Sequence, residues 1–210
     1  MLGCLERIQN SFDFFLKRTG INYAEKERIA TGFFESPFPY DKNVLFAVPD
    51  DIPFAQNLEF QNSVNKVVVK LIKAARGRTL VLFTSHESMR ATFLATKSDI
   101  YDMGIELMKQ GDDDRFRLLD RFKYDDSSVL FATDSFWQGI DVPGNSLSQV
   151  IIVKLPFTVP NDPVFVARSE AIEKRGGSSF MELSVPEAVI KFRQGIGRLI
   201  RRSDDKGVVV

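Results

Sequence analysis

Residues 79–98 read TLVLFTSHESMRATFLATKS, and the change of pattern inside that stretch decides the fold. Residues 79–84 (TLVLFT) have the make-up of a strand, Ser85 supplies an N-cap, and residues 86–98 follow as a helix. A strand that runs straight into a helix is one step of an α/β unit, and the question is whether the step repeats.

It does in both directions. Upstream, residues 44–48 (VLFAV) read as a short strand. Residues 62–76 read as a helix with Val64, Val67, Val68, Leu71, Ile72 and Ala75 on one stripe, closed by Gly77. Downstream, residues 104–109 (GIELMK) are strand-like, and residues 113–123 form a helix after Asp112. The acidic run Asp112 to Asp114 suits the positive start of that helix and reads as a capping feature, not a metal site. Strands 128–133 (SVLFAT) and 149–153 (QVIIV) do not alternate, so both of their faces are expected to be covered. Asp162-Pro163 opens a helix that Gly176-Gly177 ends. Pro186 stands in the first turn of another, expected to run to about Arg202 before a closing strand GVVV at 207–210. Strand and helix in alternation predict an α/β fold with a parallel sheet flanked by helices.

The first 43 residues fit this scheme less well. Pro37, Pro39, Pro49 and Pro53 break any long element, and an extended segment packed across the domain is the expectation. The chain closes on Val208-Val209-Val210, inside what reads as a central strand, which suggests a piece of a longer polypeptide.

Composition narrows the function. A hydrophobic content of 44% in 210 residues is enough for one solid core and not for two full-sized ones. Lys plus Arg and Asp plus Glu stand at 28 each, so no global basic field drives sequence-blind binding to nucleic acid, and any such contact is local. Cys4 is the only cysteine and His86 the only histidine, which excludes a disulfide framework, a cysteine-rich zinc site and a cysteine-held iron–sulfur cluster within these residues. No apolar run reaches the roughly 20 residues of a membrane helix, and no signal or lipidation motif opens the chain. A soluble, cytoplasmic protein without membrane partners is expected.

The sharpest chemical signal is QGIGRLIRR, residues 194–202. On a wheel of about 100° per residue, Ala188, Val189, Phe192, Ile196, Leu199 and Ile200 share a broad apolar arc. Gln194, Arg198 and Arg201 fall together opposite it, at spacings that let all three converge on one target. Gly195 and Gly197 flank that face although each costs about 0.5–1 kcal/mol against alanine inside a helix, so close backbone approach is expected there. Arginine stays charged and binds oxygens in pairs, which suits charge that builds on a transferring phosphoryl group. A solvated face with ordinary surface arginines is the bland alternative.

With that segment, QGIGRLIRR resembles motif VI of superfamily two helicases in the form found in the DinG and XPD branch. ATDSFWQGIDVPG (132–144) resembles motif V of the same branch, and it follows a predicted strand at the carboxyl edge where α/β sheets hold ligands. LVLFTSHESM (80–89) resembles motif IV, while ESPFPY (35–40) and KLPFTVPNDP (154–163) resemble segments around the second motor domain. SFDFFLKRTG (11–20) resembles the stretch that follows the last motif of the first motor domain. The resemblance spans nearly the whole chain and implies a RecA-like second motor domain at 44–210, with residues 1–43 as a lead-in from the domain border, packed on the core.

The same resemblance assigns roles. Gln194, Arg198 and Arg201 would serve the chemistry of the ATP cleft. Gln138, Gly139, Asp141 and Gly197 would face the nucleotide, with Gln138 standing where relatives often carry Glu. Asp141 capping a turn before Val142-Pro143-Gly144 is the alternative for that residue. Thr84 and Ser85 would hold phosphates of a single DNA strand, while Ser85 also caps a helix. Ser135, Phe136 and Trp137 would add DNA contacts, stacking on bases or, for the two aromatics, packing in the core. His86 reads as a surface helix residue without a partner set, and Lys154 and Arg168 lie near the same edge in the predicted order but no motif assigns them to the site.

Neither a GxxxxGK[ST] phosphate loop nor a DEAH-type carboxylate pair is present in the 210 residues. In the resembling helicases both belong to the first motor domain. The resemblance therefore implies ATP with Mg2+ bound mainly by that other domain, single-stranded DNA as partner, a monomer, and no ATP hydrolysis by these residues alone. Two other readings stay open: a non-enzymatic α/β module that binds nucleic acid or protein, and the substrate-handling part of a helicase-like nuclease.

Overall fold

The computed structural model describes residues 11–34, 36–133, 136, 146–197, 199, 200 and 202–210. Six parallel strands form one sheet: β1 (Val44–Phe46), β2 (Thr79–Leu82), β3 (Leu107–Lys109), β4 (Val129–Ala132), β5 (Gln149–Ile152) and β6 (Gly207–Val209). Their order across the sheet is β1-β6-β5-β2-β4-β3, so the strands most apolar in sequence, β2, β4 and β5, occupy its middle. The register pairs Leu82 with Ala132 and with Ile152, which brings the carboxyl ends of the three central strands to one edge.

Both faces are covered, as the unbroken apolar runs required. Leu80, Leu82, Leu130, Ala132 and Val150 point into one cluster, shared with Leu118, Leu119 and Phe122 of helix α5 (Arg115–Tyr124). Val81, Phe83, Val129, Phe131 and Ile151 point into the other. There they meet Val64, Val68 and Ile72 of α3 (Phe60–Ala75), and Met89 and Ile100 of α4 (His86–Tyr101). Strand residues alternate between the clusters because successive side chains leave a strand on opposite faces.

The local signals explain the element ends. Ser85 caps α4 by accepting from the Ser88 N–H at 3.2 Å, and Asp162 caps α6 (Pro163–Lys174) by accepting from the Phe165 N–H at 2.8 Å. In the acidic run the cap is Asp114, which accepts from the Phe116 N–H at 2.9 Å, so α5 starts two residues later than the sequence suggests. Asp112 instead pairs with Lys109 and accepts its main-chain N–H. The strand-like stretch 104–109 shortens to β3 because α4 runs on to Tyr101 and closes through Gly104 at φ +72.

The chain divides into two compact units, one formed by the chain up to Pro37 with Pro156–Gln194, the other by Phe38–Leu155 with Gly195–Val210. The second holds the sheet and, just before β1, the short helix α2 (Tyr40–Asn43). The first holds α1 (Asp13–Thr19), α6, a π-helical turn at Phe180–Ser184 and most of α7 (Val185–Ile196). Phe165, Ile172 and Leu183 form its small core with Phe14 packed against them, and Arg18 pairs with Glu187. A cavity of about 590 Å³ lies in it between α1 and the residues Arg168, Ile172, Met181 and Leu183.

Two expectations fail here. Residues 13–28 are not extended: α1 and 3-10 turns at Ile21–Tyr23 and Lys26–Arg28 precede every proline of the chain, the first being Pro37, so nothing prevents coiling, while residues 29–34 carry no helix or strand. Helix α7 ends at Ile196, about six residues short of Arg202. Gly195 and Gly197 weaken the helix. Leu199 leaves it to seat on Gly207, where a Cβ would overlap the Leu199 side chain, and Leu199 and Ile200 are buried in the sheet core without being helical. Among the described residues, no helix is long and apolar enough to cross a membrane.

Candidate functional site at the carboxyl edge of the sheet

Parallel strands present their main-chain ends in register, so residues directly after β2, β3, β4 and β5 must share one edge. After β2 come Phe83, Thr84, Ser85 and the first turn of α4, with Phe83 held by the Ala132 carbonyl of β4 at 2.9 Å. After β4 come Thr133 and the stretch 134–145, which contains Asp134 and Asp141 but no Lys or Arg. The segments that resemble motifs IV and V thus leave adjacent strands side by side.

Thr84 is half-buried and Ser85 exposed beyond the strand, where the start of a sixteen-residue helix concentrates unpaired N–H groups. Ser85 spends its hydroxyl oxygen on capping, which does not prevent that hydroxyl from donating. Behind it, Gln61 of α3 donates to Asn65 Oδ1 at 2.8 Å and to Thr92 Oγ1 at 2.9 Å, tying α3 to α4. Cations at this edge are engaged through aromatic faces: Lys109 Nζ lies 5.2 Å from the Phe93 ring centroid, Arg115 5.3 Å from Phe136, and Lys154 Nζ 4.9 Å from Phe60.

Phe136 is 2% exposed and belongs to the sheet core, with Arg115 over its ring. Core packing, not base stacking, is the role its burial supports. Gln194 lies near the end of α7, in the other compact unit, and its Oε1 is buried without a hydrogen-bond partner. A buried acceptor left so costs about 1–3 kcal/mol, and a bound donor would recover it. Gly197 is the turn residue just after α7. The wheel that aligned Arg198 and Arg201 with Gln194 assumed a helix through residue 202, and that premise fails at Ile196. Ser135, Trp137, Gln138, Gly139, Asp141, Arg198 and Arg201 lie outside the described residues.

Two residues at this edge escaped the sequence reading, and a third, His86, is the exposed helix residue expected but has a partner. Gln110 follows β3, Thr133 follows β4, and His86 opens α4; Thr133 Oγ1 lies 2.9 Å from Gln110 Oε1 and 3.4 Å from His86 Nε2. The available signal was positional: a polar residue directly after a strand of a parallel sheet stands at the ligand edge.

Known proteins resemble this chain in sequence and in fold. Residues 68–210 match the helicase C-terminal domain family. The ATP-dependent DNA helicase YoaA of Haemophilus influenzae is 39% identical over 205 residues, covering 97% of this chain and 30% of that protein. The protein named 3'-5' exonuclease DinG in Bacillus subtilis is 35% identical over 210 residues, covering 97% of this chain and 22% of its own length. An XPD helicase structure superposes with a TM-score of 0.58 at 18% identity, over 80% of this chain and 30% of that one, which is a likeness of fold. The chain therefore spans less than a third of the length of these curated relatives. The match of one family model to more than half of the residues, on a six-stranded parallel sheet, places this chain in the helicase C-terminal domain family.

Proposed function

We propose that this chain is the second motor domain of an ATP-dependent DNA helicase of the DinG type. The observation that carries the reading is the sheet register, which ends β2 and β4 side by side at the carboxyl edge, where Thr84 and Thr133 follow. Thr84 and Ser85 contact phosphates of a single strand, joined by Ser135 and Trp137 from the neighbouring segment. Gln138, Gly139, Asp141 and Gly197 border the nucleotide, and Arg198 and Arg201 neutralise charge on the γ-phosphate.

Gln194 fits a particular kind of contact. Its orphaned Oε1 is an acceptor and would be repelled by phosphate oxygens, so it suits a ribose hydroxyl, the amino group of adenine or a bound water. The phosphate cradle and the Mg2+ ligands come from the first motor domain, since the chain has no phosphate loop and no DEAH pair. ATP then closes the two domains on each other and hydrolysis reopens them, advancing a strand held by both. The whole protein works as a cytoplasmic monomer.

In the protein carrying both motor domains, single-stranded DNA should stimulate ATP turnover. Arg198→Ala and Arg201→Ala should each abolish turnover while leaving most single-strand binding intact. Wild-type turnover in both variants would refute the arginine assignment. The match to a relative named as an exonuclease supports a second reading, in which the same domain handles substrate for an attached nuclease. Nuclease activity that persists when ATP turnover is abolished would favour it.

A further inference from the structure

We infer that Gln110 is a positioning residue that sets where the segment resembling motif V leaves the sheet and ties it to the start of α4. The Gln110 N–H donates to the Phe131 carbonyl at 2.8 Å, carrying the β3–β4 pairing one residue past β3. At the other end of this pair the Val129 N–H donates to the Glu106 carbonyl. Rungs of a parallel ladder recur every two residues, so the next partner of the Thr133 N–H should be the main-chain carbonyl of Gln110. The Gln110 side chain takes that place: Oε1 accepts from the Thr133 N–H at 2.8 Å and from its hydroxyl at 2.9 Å. The substitution of carboxamide for main chain lets the backbone turn away at Gly111, φ +95, while the end of β4 stays pinned.

The third member follows from proton counting. Thr133 has one hydroxyl hydrogen and spends it on Gln110, so toward His86 Nε2, 3.4 Å away, the oxygen can only accept. His86 therefore presents Nε2–H to Thr133. Donation runs from α4 through the end of β4 to the end of β3, across both segments that the proposed function puts in contact with DNA and nucleotide. Gln110 lies in neither segment, and it acts through Thr133.

This inference rests on the helicase reading, and the test separates the two. In the protein carrying both motor domains, the variants are Gln110→Ala, Gln110→Glu and Thr133→Val. DNA-stimulated turnover and the thermal midpoint are measured for each. Gln110→Ala should lower turnover at saturating ATP and DNA by about ten-fold or more, because misplacement on the order of 1 Å is enough for losses of that size. Its midpoint should fall by only a few degrees, because the buried Thr133 N–H left without its acceptor costs about 1–3 kcal/mol. Gln110→Glu keeps an acceptor oxygen in place and should hold turnover within about two-fold of wild type. Thr133→Val, lacking the hydroxyl, should resemble Gln110→Ala. An active wild type with unchanged Gln110→Ala overturns the positioning role alone, as does a loss that vanishes at a temperature where the variant is fully folded or that is shared by Gln110→Glu. A wild type without DNA-stimulated turnover overturns the helicase reading itself.

Discussion

Gly77 sits where the chain after α3 crosses close to the backbone at Ser127, and replacing it with alanine tests that part of the fold directly. After α3 three consecutive residues take positive φ: Arg76 at 54°, Gly77 at 80° and Arg78 at 44°. A Cβ on Gly77 would overlap the Ser127 carbonyl. That carbonyl has little freedom, since the Ser127 N–H bonds Asp125 Oδ1 at 2.7 Å and fully buried Ser128 next to it leads into β4. Holding alanine at left-handed φ costs about 1–2 kcal/mol. Forcing a methyl into a filled space adds about 1–3 kcal/mol, and the stiffer unfolded chain returns about 0.4–1 kcal/mol. Gly77→Ala should therefore destabilise by about 2–4 kcal/mol. Gly104 is the internal control: its φ is +72, yet a Cβ there meets nothing within 4 Å. Gly104→Ala carries the strain without the clash and should cost about 1 kcal/mol or less. At about 2–4 °C per kcal/mol for a chain of this size, the two thermal midpoints should separate clearly. Urea unfolding followed by far-ultraviolet circular dichroism gives both values. Equal losses for the two variants would refute the close crossing between Gly77 and Ser127.

The other expectations are shorter. Asp162→Ala removes the cap of α6 and should cost about 1 kcal/mol in the same unfolding assay, whereas Asp162→Asn should be nearly neutral. Trp137 is the only tryptophan, so its emission reports directly on its surroundings. Saturable quenching by oligothymidylate is expected if a base stacks on it, and no change at saturating oligonucleotide would remove Trp137 from the DNA contacts. The 210 residues alone should show no DNA-stimulated ATP hydrolysis, and measurable stimulated turnover would show that a phosphate cradle exists within them.

The strands were readable because β2, β4 and β5 are buried on both faces, and that demand leaves an unbroken apolar run in the sequence. Ser85 and Asp162 were readable because a cap is chemistry between residues three apart. Helix α7 shows the limit of the same reasoning. Its apolar period continues through Leu199 and Ile200, but a period reports burial, and burial persists after the helix has ended. What holds Leu199 is Gly207, eight positions along the chain, and no wheel contains that contact. Gln110 was unreadable for a related reason. Its side chain replaces a main-chain rung 23 residues away, so its role exists only once β3 and β4 are paired.

Charge at the carboxyl edge leads to a last prediction, about salt. A single strand held by Z neutralised phosphates loses affinity with a slope of about −0.7Z in log K against log salt. The described edge places Lys109, Arg115 and Lys154 beside the strand ends, each already over an aromatic ring, and residues 134–145 carry no cation. Even if all three reached phosphates the slope would be about −2, and if hydroxyls and main-chain amides do the holding it would be nearer zero. The chain has no net charge to steepen it. Anisotropy of a labelled oligothymidylate, titrated at several salt concentrations, should therefore give weak binding with a slope no steeper than about −2. A slope of about −4 would require twice as many cations as this edge supplies, and would place the strand on another surface. The cationic residues of the other compact unit, Lys17, Arg168 and Arg175 around its cavity, would then be the first to replace with alanine. A shallow slope that survives those replacements keeps the strand at the sheet edge, where orientation by Thr84, Ser85 and Thr133 matters more than attraction.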